Sequence, residues 1–249
     1  MSSTDIRLFI ECLNKILLGG KLQKNIIIIL IVAFLLIITG VYFFGNFSQE
    51  PPYQTLTNNS TGTVEKCVYG NEKAATSIAV ITGIHPREPL SIEPVIKAVK
   101  EFANDDVKII HYKVTVTDHP QDYKIGRDNG EKLIHDHVNP DVTKSDAGAV
   151  IISHSHIPEY GQGFYLATPE MDNASVKIAE KVKNESDFNY YPVTGQETYK
   201  STSAVLVSKP IAQAGYPTLV YEMPEDITND TATSKTKELF EMVSRIISK

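Results

Sequence analysis

The chain has 249 residues, about the length of one medium-sized domain with an additional segment. It carries 24 basic and 30 acidic residues; four basic and two acidic residues precede position 45, which leaves a net charge of −8 on the remainder and argues against nucleic acid as a partner. The only two cysteines, Cys12 and Cys67, exclude a disulfide framework and a cysteine-based zinc cluster.

A long apolar segment begins at Ile26, ends at Phe44 and contains no charged residue. A helix of this length, at about 1.5 Å per residue, spans roughly the 30 Å of a bilayer core. The segment is longer than the apolar core of a signal peptide and lacks a small-residue cleavage site. Four basic residues precede it and the next is Lys66, so the positive-inside rule predicts a single-pass cell-membrane protein with a cytoplasmic N-terminus and an extracellular main domain.

Composition divides the chain into four parts. Residues 1–24 are predicted to be a cytoplasmic segment, and residues 25–44 a transmembrane helix. Residues 45–72 include a stretch rich in Pro, Thr, Asn and Ser, which is typical of a solvated linker. Residues 73–249 then form the main domain.

Strand-like and helix-like stretches alternate within the main domain. Short apolar or β-branched runs predict strands at 77–82, 107–117, 147–153 and 218–223, with a short edge strand at 163–167. Apolar residues at helical spacing predict helices at 90–102, 175–182, 203–214 and 233–247. This alternation predicts an α/β fold, a three-layer sandwich with a mixed, largely parallel sheet.

Histidines and glutamates follow three of the predicted strands. His85 and Glu88 follow the first strand, His154 and His156 follow the strand at 147–153, and Glu222 ends the strand at 218–223. Ligands of open α/β sheets bind beyond the carboxyl ends of the strands. Two imidazoles and one carboxylate make an open three-ligand zinc site, and a further carboxylate can take a proton from water. The pattern therefore predicts a site for one Zn²⁺.

Each of these residues also has a plainer interpretation. His85 and Glu88 fit a helix N-terminus with an acidic first turn, and the later histidines fit an exposed loop. Glu222 fits an ordinary strand-end charge, and Arg127 fits a surface arginine in a glycine-rich turn. Taken together, however, the histidines and glutamates at three strand ends favour the metal site. Four other histidines fit no position in it: His111, His119, His135 and His137.

Three segments of the chain, at residues 80–89, 150–156 and 216–224, read Val-Ile-Thr-Gly-Ile-His-Pro-Arg-Glu-Pro, Val-Ile-Ile-Ser-His-Ser-His and Tyr-Pro-Thr-Leu-Val-Tyr-Glu-Met-Pro. They resemble the zinc carboxypeptidase clan that includes succinylglutamate desuccinylase and aspartoacylase. The resemblance implies that His85, Glu88 and His154 bind zinc, with His156 as the alternative to His154. It also implies that Glu222 acts first as general base and then as general acid.

The chain departs from the family pattern beside the last zinc histidine. The family usually carries an Asp two residues before it, which holds the ring. Ile152 occupies that position if His154 is the ligand, and His154 occupies it if His156 is the ligand.

A second departure concerns the residues that contact substrate. The Asn-Arg pair of the family is absent in its usual form. Arg127 stands in that region, where it is expected to hold a substrate carboxylate or to polarise the scissile carbonyl. Tyr199, in a loop before the last strand, is expected to donate a hydrogen bond to substrate, as a tyrosine of some family members does.

These features together predict a membrane-anchored, externally facing, zinc-dependent hydrolase of an amide bond, of the carboxypeptidase, amidase or N-acyl amino acid deacylase type. The expected substrates are small peptides, N-acyl amino acids or cell-wall amides. The alternative is a catalytically inactive, membrane-anchored binding or sensor domain that retains the fold. The two departures favour this alternative, whereas the retained Glu222 argues against it.

Overall fold

The computed structural model describes residues 21–45, 50–191 and 201–248, within two compact units, Met1–Glu50 and Pro51–Lys249. In the first unit, helix α1 spans Lys21–Gly45. Among the residues that the structure describes, no helix is long and apolar enough to cross a membrane. Within the predicted anchor, the side chains at 37, 38 and 40–44 lie outside the described part.

The second unit is built on one eight-stranded sheet with the strand order β1-β2-β4-β3-β5-β8-β6-β7. The strands are β1 Gln54–Asn58, β2 Gly62–Tyr69, β3 Thr76–Thr82, β4 Val107–Val116, β5 Ala149–His156, β6 Tyr165–Ala167, β7 Asn189–Tyr190 and β8 Thr218–Pro224. The four central strands β4, β3, β5 and β8 are parallel, while β2 and β6 pair antiparallel with their central neighbours. The predicted α/β sandwich with a mixed sheet is confirmed.

The helices of this unit connect the strands. They are α2 Glu93–Phe102, α3 Tyr123–Leu133, α4 Asn139–Val142, α5 Asn173–Glu185, α6 Lys209–Gln213 and α7 Asn229–Ile247. A short 3₁₀ turn at Pro89–Ser91 precedes α2, and π-helical turns at Ile134–Val138 and Ala204–Ser208 lead into α4 and α6.

Helices cover both faces of the sheet because alternate residues of a strand point to opposite sides. Ile78 and Val80 of β3 join a core with α2, α5 and α7. Ala79 and Ile81, the residues between and after them, join a second core with α3, α4 and α6. The central strands are therefore buried on both faces, which explains their continuous apolar sequences.

The structure differs from the predicted linker at residues 45–72. Residues 54–58 and 62–69 form β1 and β2 instead, and β2 pairs along its whole length with β4. Val64 of β2 is buried in the core that contains α3, whereas Cys67 and Tyr69 are buried in the core that contains α2. The residues between them are partly buried, so the strand packs on both sides of the sheet.

Two further boundaries differ from those predicted. Strand β5 continues to His156, because its pairing with β8 extends to the register His156 with Pro224. The segment at 163–167 is not an edge strand, since β7 pairs with β6 on its outer side.

Helix α3 packs closely on the chain that follows β3. The side chain of Asp122 accepts hydrogen bonds from the backbone N–H groups of Lys124 and Ile125 and so caps the helix start. A Cβ atom at Gly130 would lie 1.9 Å from the carbonyl oxygen of Ile84. Only glycine allows this approach, which places the residues of α3 beside His85.

Candidate metal centre

The residues predicted to form the site meet at the carboxyl ends of β3, β5 and β8. His85 and Glu88 lie in the turn after β3, and His154 lies near the end of β5. Glu222 of β8 stands opposite His154 in the register of the two parallel strands. All four side chains line one cleft of about 650 Å³.

Three donor side chains converge within this cleft. His85 Nδ1 lies 2.7 Å from Glu88 Oε1, and His154 Nδ1 lies 3.1 Å from His85 Nδ1 and 3.2 Å from Glu88 Oε2. All three residues are largely buried, and one donor atom from each lies within 4.8 Å of the others.

This donor set fits a zinc ion. Donor atoms bound tetrahedrally to Zn²⁺ at about 2.0 to 2.1 Å lie roughly 3.3 Å apart, close to the separations seen here. Two imidazole nitrogens facing each other share no more than one proton in a direct hydrogen bond, whereas both lone pairs are used if a cation lies between them. His85, Glu88 and His154 are therefore suited to hold a metal and to leave a coordination position open.

Glu131 of α3 contacts the ring nitrogen of His85 that does not face the other donors. His85 Nε2 lies 3.2 Å from Glu131 Oε1, and the Glu131 side chain is almost fully buried. A carboxylate at this position accepts a hydrogen bond from Nε2–H, keeps the proton on that nitrogen and leaves Nδ1 free as a ligand. Thr202 Oγ1 donates to the same Glu131 oxygen over 3.2 Å and helps to fix it.

Comparison with solved structures assigns the architecture. A metallo-carboxypeptidase from Burkholderia cenocepacia has a TM-score of 0.52 and 15% identity, over 84% of this chain and 67% of that chain. Tripeptide-bound Cell Shape Determinant Csd4 from Helicobacter pylori has a TM-score of 0.51 and 11% identity, over 74% of this chain and 55% of that one. The chain has the metallo-carboxypeptidase fold. No protein-family model and no curated protein matches it.

This chain spans only about half the length of Csd4. A succinylglutamate desuccinylase from a Silicibacter species also matches, with a TM-score of 0.42 and 10% identity over 81% of this chain and 72% of that one. At these identities the matches to the Burkholderia carboxypeptidase and to Csd4 establish the fold alone, and the chemistry has to be argued from the residues of the cleft.

The electrostatics of the cleft favour positive charge at the donor set. Burial opposes the ionisation of Glu88, but the charge and hydrogen bonds of His154 and His85 outweigh it and hold the pKa of Glu88 well below its ordinary value. Burial lowers the pKa of His85, yet its hydrogen bonds to Glu131 and Glu88 raise that pKa overall. The carboxylates of Glu88 and Glu131 thus stabilise a cation here, whether a proton or a metal ion.

Glu222 is the remaining carboxyl group beside the donor set. Burial has the largest effect and raises its pKa to about 7. The charges of His154 and Arg127 lower the pKa and that of Glu88 raises it, with smaller effects. A carboxyl group with this pKa exchanges a proton readily near neutral pH. Glu222 makes no contribution to the three-donor group, so it is available for proton transfer.

The structure distinguishes between the two histidines of β5. His156 Nδ1 lies 3.0 Å from the carbonyl oxygen of Ile157, and its Nε2 lies 3.0 Å from that of Gly163. Both ring nitrogens thus face backbone carbonyls and not the metal donors, although His154 and His156, two residues apart in the strand, lie on the same side of it. His154 is the histidine that lies with His85 and Glu88.

Arg127 lies on helix α3 and not in the glycine-rich turn that its neighbours suggested. Its Nη1 donates to Glu88 Oε1 over 3.0 Å, and its guanidinium group lies 5.4 Å from the ring centroid of Tyr123. It therefore reaches the cleft and orients a metal donor. Tyr199, the other predicted substrate-binding residue, lies outside the described residues.

Two residues that hold the donor set were missed in the sequence. One is Glu131, and the other is Ser155, whose backbone N–H donates to Glu88 Oε2 over 3.3 Å. The signal for Glu131 was present: Arg127 and Glu131 are four residues apart, so they share a helix face once this segment is assigned as helix. Its two glycines instead favoured a turn.

Proposed function

We propose that residues Pro51–Lys249 form a zinc-dependent hydrolase of an amide bond. The observation that carries this proposal is the convergence of His85, Glu88 and His154 on one point of a cleft that also contains the unligated carboxyl group of Glu222. A structural zinc site would use a fourth protein donor and would have no need of a cleft.

His85, Glu88 and His154 would hold the metal. When bound, zinc supplies a Lewis acid for a carbonyl oxygen and lowers the pKa of water. Glu131 keeps the proton of His85 on Nε2, and Arg127 and Ser155 hold the two oxygens of Glu88 in place. These contacts fix the donors before substrate arrives and reduce the cost of organising the site.

Glu222 would act as the general base and then as the general acid. As a base it accepts a proton from the attacking water, and as an acid it returns that proton to the leaving nitrogen. Arg127 would stabilise negative charge on the carbonyl oxygen or bind a substrate carboxylate, because a guanidinium group presents several donors.

Peptides are the substrate class that we favour. A solved structure of Csd4, which has the same fold, contains a tripeptide, and the cleft described here is open and large enough for a small peptide. N-acyl amino acids and cell-wall amides contain the same scissile bond and remain in the proposed range.

Zinc content and hydrolysis test this proposal. We expect about one zinc per chain in the wild-type protein and less than about 0.2 in His154→Ala, measured by elemental analysis after expression with zinc. His156→Gln is the matched control on the same strand and should retain the metal. A His156→Gln protein without zinc, beside a zinc-loaded His154→Ala protein, would reverse the assignment.

The role of Glu222 is tested on a panel of peptides and N-acyl amino acids. Glu222→Gln should retain zinc and lower kcat by at least about a hundredfold, the usual contribution of a general base. Zinc-loaded wild-type protein that binds these compounds but cleaves none of them would instead favour the inactive binding domain.

A membrane anchor at residues 26–44 is proposed separately, on the apolar sequence and the flanking charges alone. We expect the full chain to sediment with membranes and to resist extraction at high salt, whereas a chain that starts at Pro51 should stay in the supernatant. Equal amounts of both chains in the soluble fraction would contradict the anchor and the extracellular location.

A further inference from the structure

The charged side chains of the cleft are separated by sign. The cleft has two arginines, Arg87 and Arg127, and both guanidinium groups lie against the ring of Tyr123, at 5.7 and 5.4 Å from its centroid. It has three glutamates, of which Glu88 belongs to the donor set and Glu222 is the proposed base. The third, Glu225, has no role in the proposed chemistry.

Glu225 is held at the edge of the donor set. It follows β8, and its backbone N–H donates to the carbonyl oxygen of His156 over 3.0 Å. Its Oε1 accepts a hydrogen bond of 3.1 Å from Ser155 Oγ. Ser155 follows His154 in the sequence, and its backbone N–H donates to Glu88. The Glu225 carboxylate is thus linked through Ser155 to the metal donors, while the Glu225 side chain stays exposed to the cleft.

The strand order places the two kinds of charge on opposite sides of the metal donors. Neighbouring strands run β4, β3, β5, β8 across the cleft. Arg127 comes from α3, which follows β4, and Arg87 comes from the turn after β3, whereas Glu225 comes from the end of β8. The donor set, from β3 and β5, lies between them. One end of the cleft is therefore positive and the other is negative.

We infer that the cleft selects amides with opposite charges on the two sides of the scissile bond: a carboxylate at the Arg87 and Arg127 end, and an ammonium or guanidinium group at Glu225. This inference rests on the proposed hydrolase function and narrows its substrate class. In a peptide the C-terminal carboxylate lies on the leaving-amine side, so the cation belongs to the side chain on the acyl side. Glu225 is then the residue that sets specificity, since it repels an acidic side chain and pairs with a basic one.

Three peptides of the form acetyl-X-alanine with a free C-terminus test this arrangement, with X as lysine, norleucine or glutamate. Lysine and norleucine have stems of nearly equal length, so their ratio isolates the charge. In zinc-loaded full-length protein, kcat/KM should be about tenfold higher for lysine than for norleucine, and lowest for glutamate. The ratio should fall to about one in Glu225→Gln and invert in Glu225→Lys.

Two control variants separate this role from a structural one. Asp226→Asn removes a neighbouring exposed acid that does not line the cleft, and it should keep the wild-type ratio. Ser155→Ala removes the hydrogen bond to Glu225 but keeps the charge, so most of the lysine preference should persist. If Ser155→Ala abolished the lysine preference as fully as Glu225→Gln does, the role of Glu225 would be to support the end of β5. That result would overturn the inference.

Binding provides a readout that does not depend on turnover. Calorimetry on zinc-loaded Glu222→Gln protein should show about tenfold tighter binding of the lysine peptide than of the norleucine peptide, and the double variant with Glu225→Gln should bind the two equally. A lysine preference in binding with no cleavage by wild-type protein would support the charge selection and reject the hydrolase. Cleavage of all three peptides at similar rates would support the hydrolase and reject the charge selection.

Discussion

At His85, the two ring nitrogens have different partners, and this difference makes the residue suitable as a metal ligand. Nε2 faces the buried Glu131 carboxylate, whereas Nδ1 faces Glu88 and His154. A negative carboxylate at one nitrogen increases the electron-donating power of the other. In the family that the sequence resembles, an Asp two residues before the last zinc histidine gives such support, and this chain lacks it. In this chain a carboxylate on α3 provides it, and it acts on the first histidine.

Replacement of Glu131 tests this support. Glu131→Gln keeps the size of the side chain but removes the charge, and its amide is free to present a donor to His85 Nε2. We expect zinc affinity to fall by about tenfold to a hundredfold, measured by competition with a chelator. Glu65→Gln, in a partly buried ion pair between β2 and β4, should leave the affinity unchanged. Equal affinities of the wild-type and Glu131→Gln proteins would limit Glu131 to filling space.

At the scale of elements, helix α3 determines how the site is assembled. It carries both Arg127 and Glu131 towards the turn after β3, and its distance from that turn is set by Gly130. Gly83 makes the turn itself possible, since its φ is +82° and a Cβ atom there would lie 2.0 Å from the carbonyl oxygen of Val114. Two glycines thus permit the approach of a helix and a loop that are far apart in the sequence.

Gly130→Ala should therefore affect both stability and the site. The new methyl group would force α3 away from Ile84, and overpacking of this kind costs about 1 to 3 kcal/mol of unfolding free energy. Zinc affinity should fall as well, because Glu131 moves with the helix. Gly148→Ala is the control: its Cβ atom would mainly meet the end of the flexible Ile247 side chain, at the other end of β5. Chemical denaturation and chelator competition measure the two effects, and a normal zinc affinity in a destabilised Gly130→Ala protein would contradict the coupling.

The sequence predicted the elements whose residues carry a clear pattern. Buried parallel strands read as apolar runs, and polar residues at their ends led directly to His85, His154 and Glu222. The sequence did not predict α3, because Gly126 and Gly130 favour a turn and their reason, contact with the β3 loop, is tertiary. Strands β1 and β2 were also missed, since their polar composition resembles a linker until the pairing with β4 is known.

At the scale of the whole molecule, the sheet buries a neutral histidine outside the site. His111 of β4 is fully buried, its Nε2 lies 2.9 Å from Thr82 Oγ1, and its ring packs against Tyr53 and Tyr69. Burial, with a smaller effect of the charges of Lys113 and Lys100, lowers its pKa from 6.5 to about 3. The unfolded chain therefore binds a proton at His111 in a pH range where the folded chain does not.

Acid should destabilise the domain through this residue. The contribution of His111 is complete above pH 6.5 and is lost as the pH falls towards about 3, by about 1.4 kcal/mol of unfolding free energy per pH unit. His111→Phe should reduce the slope of unfolding free energy against pH between 6 and 4 by about that amount, as measured by denaturant titration. His135→Gln, at an exposed histidine, should keep the wild-type slope. A His111→Phe protein with the wild-type slope would place the titrating group elsewhere.

The metal donors and the proposed base belong to different segments of the chain. The donors come from the turn after β3 and from β5: His85, Glu88 and His154. Glu222 comes from the neighbouring strand β8, which supplies none of the three donors. Under the proposed function, capture of a ligand and its turnover are thus genetically separable: a single codon change in β8 would leave a zinc-dependent receptor, and reversing it would restore the enzyme. Under the same proposal, a protein with this layout would change between sensing and degrading the same compound without rebuilding its fold.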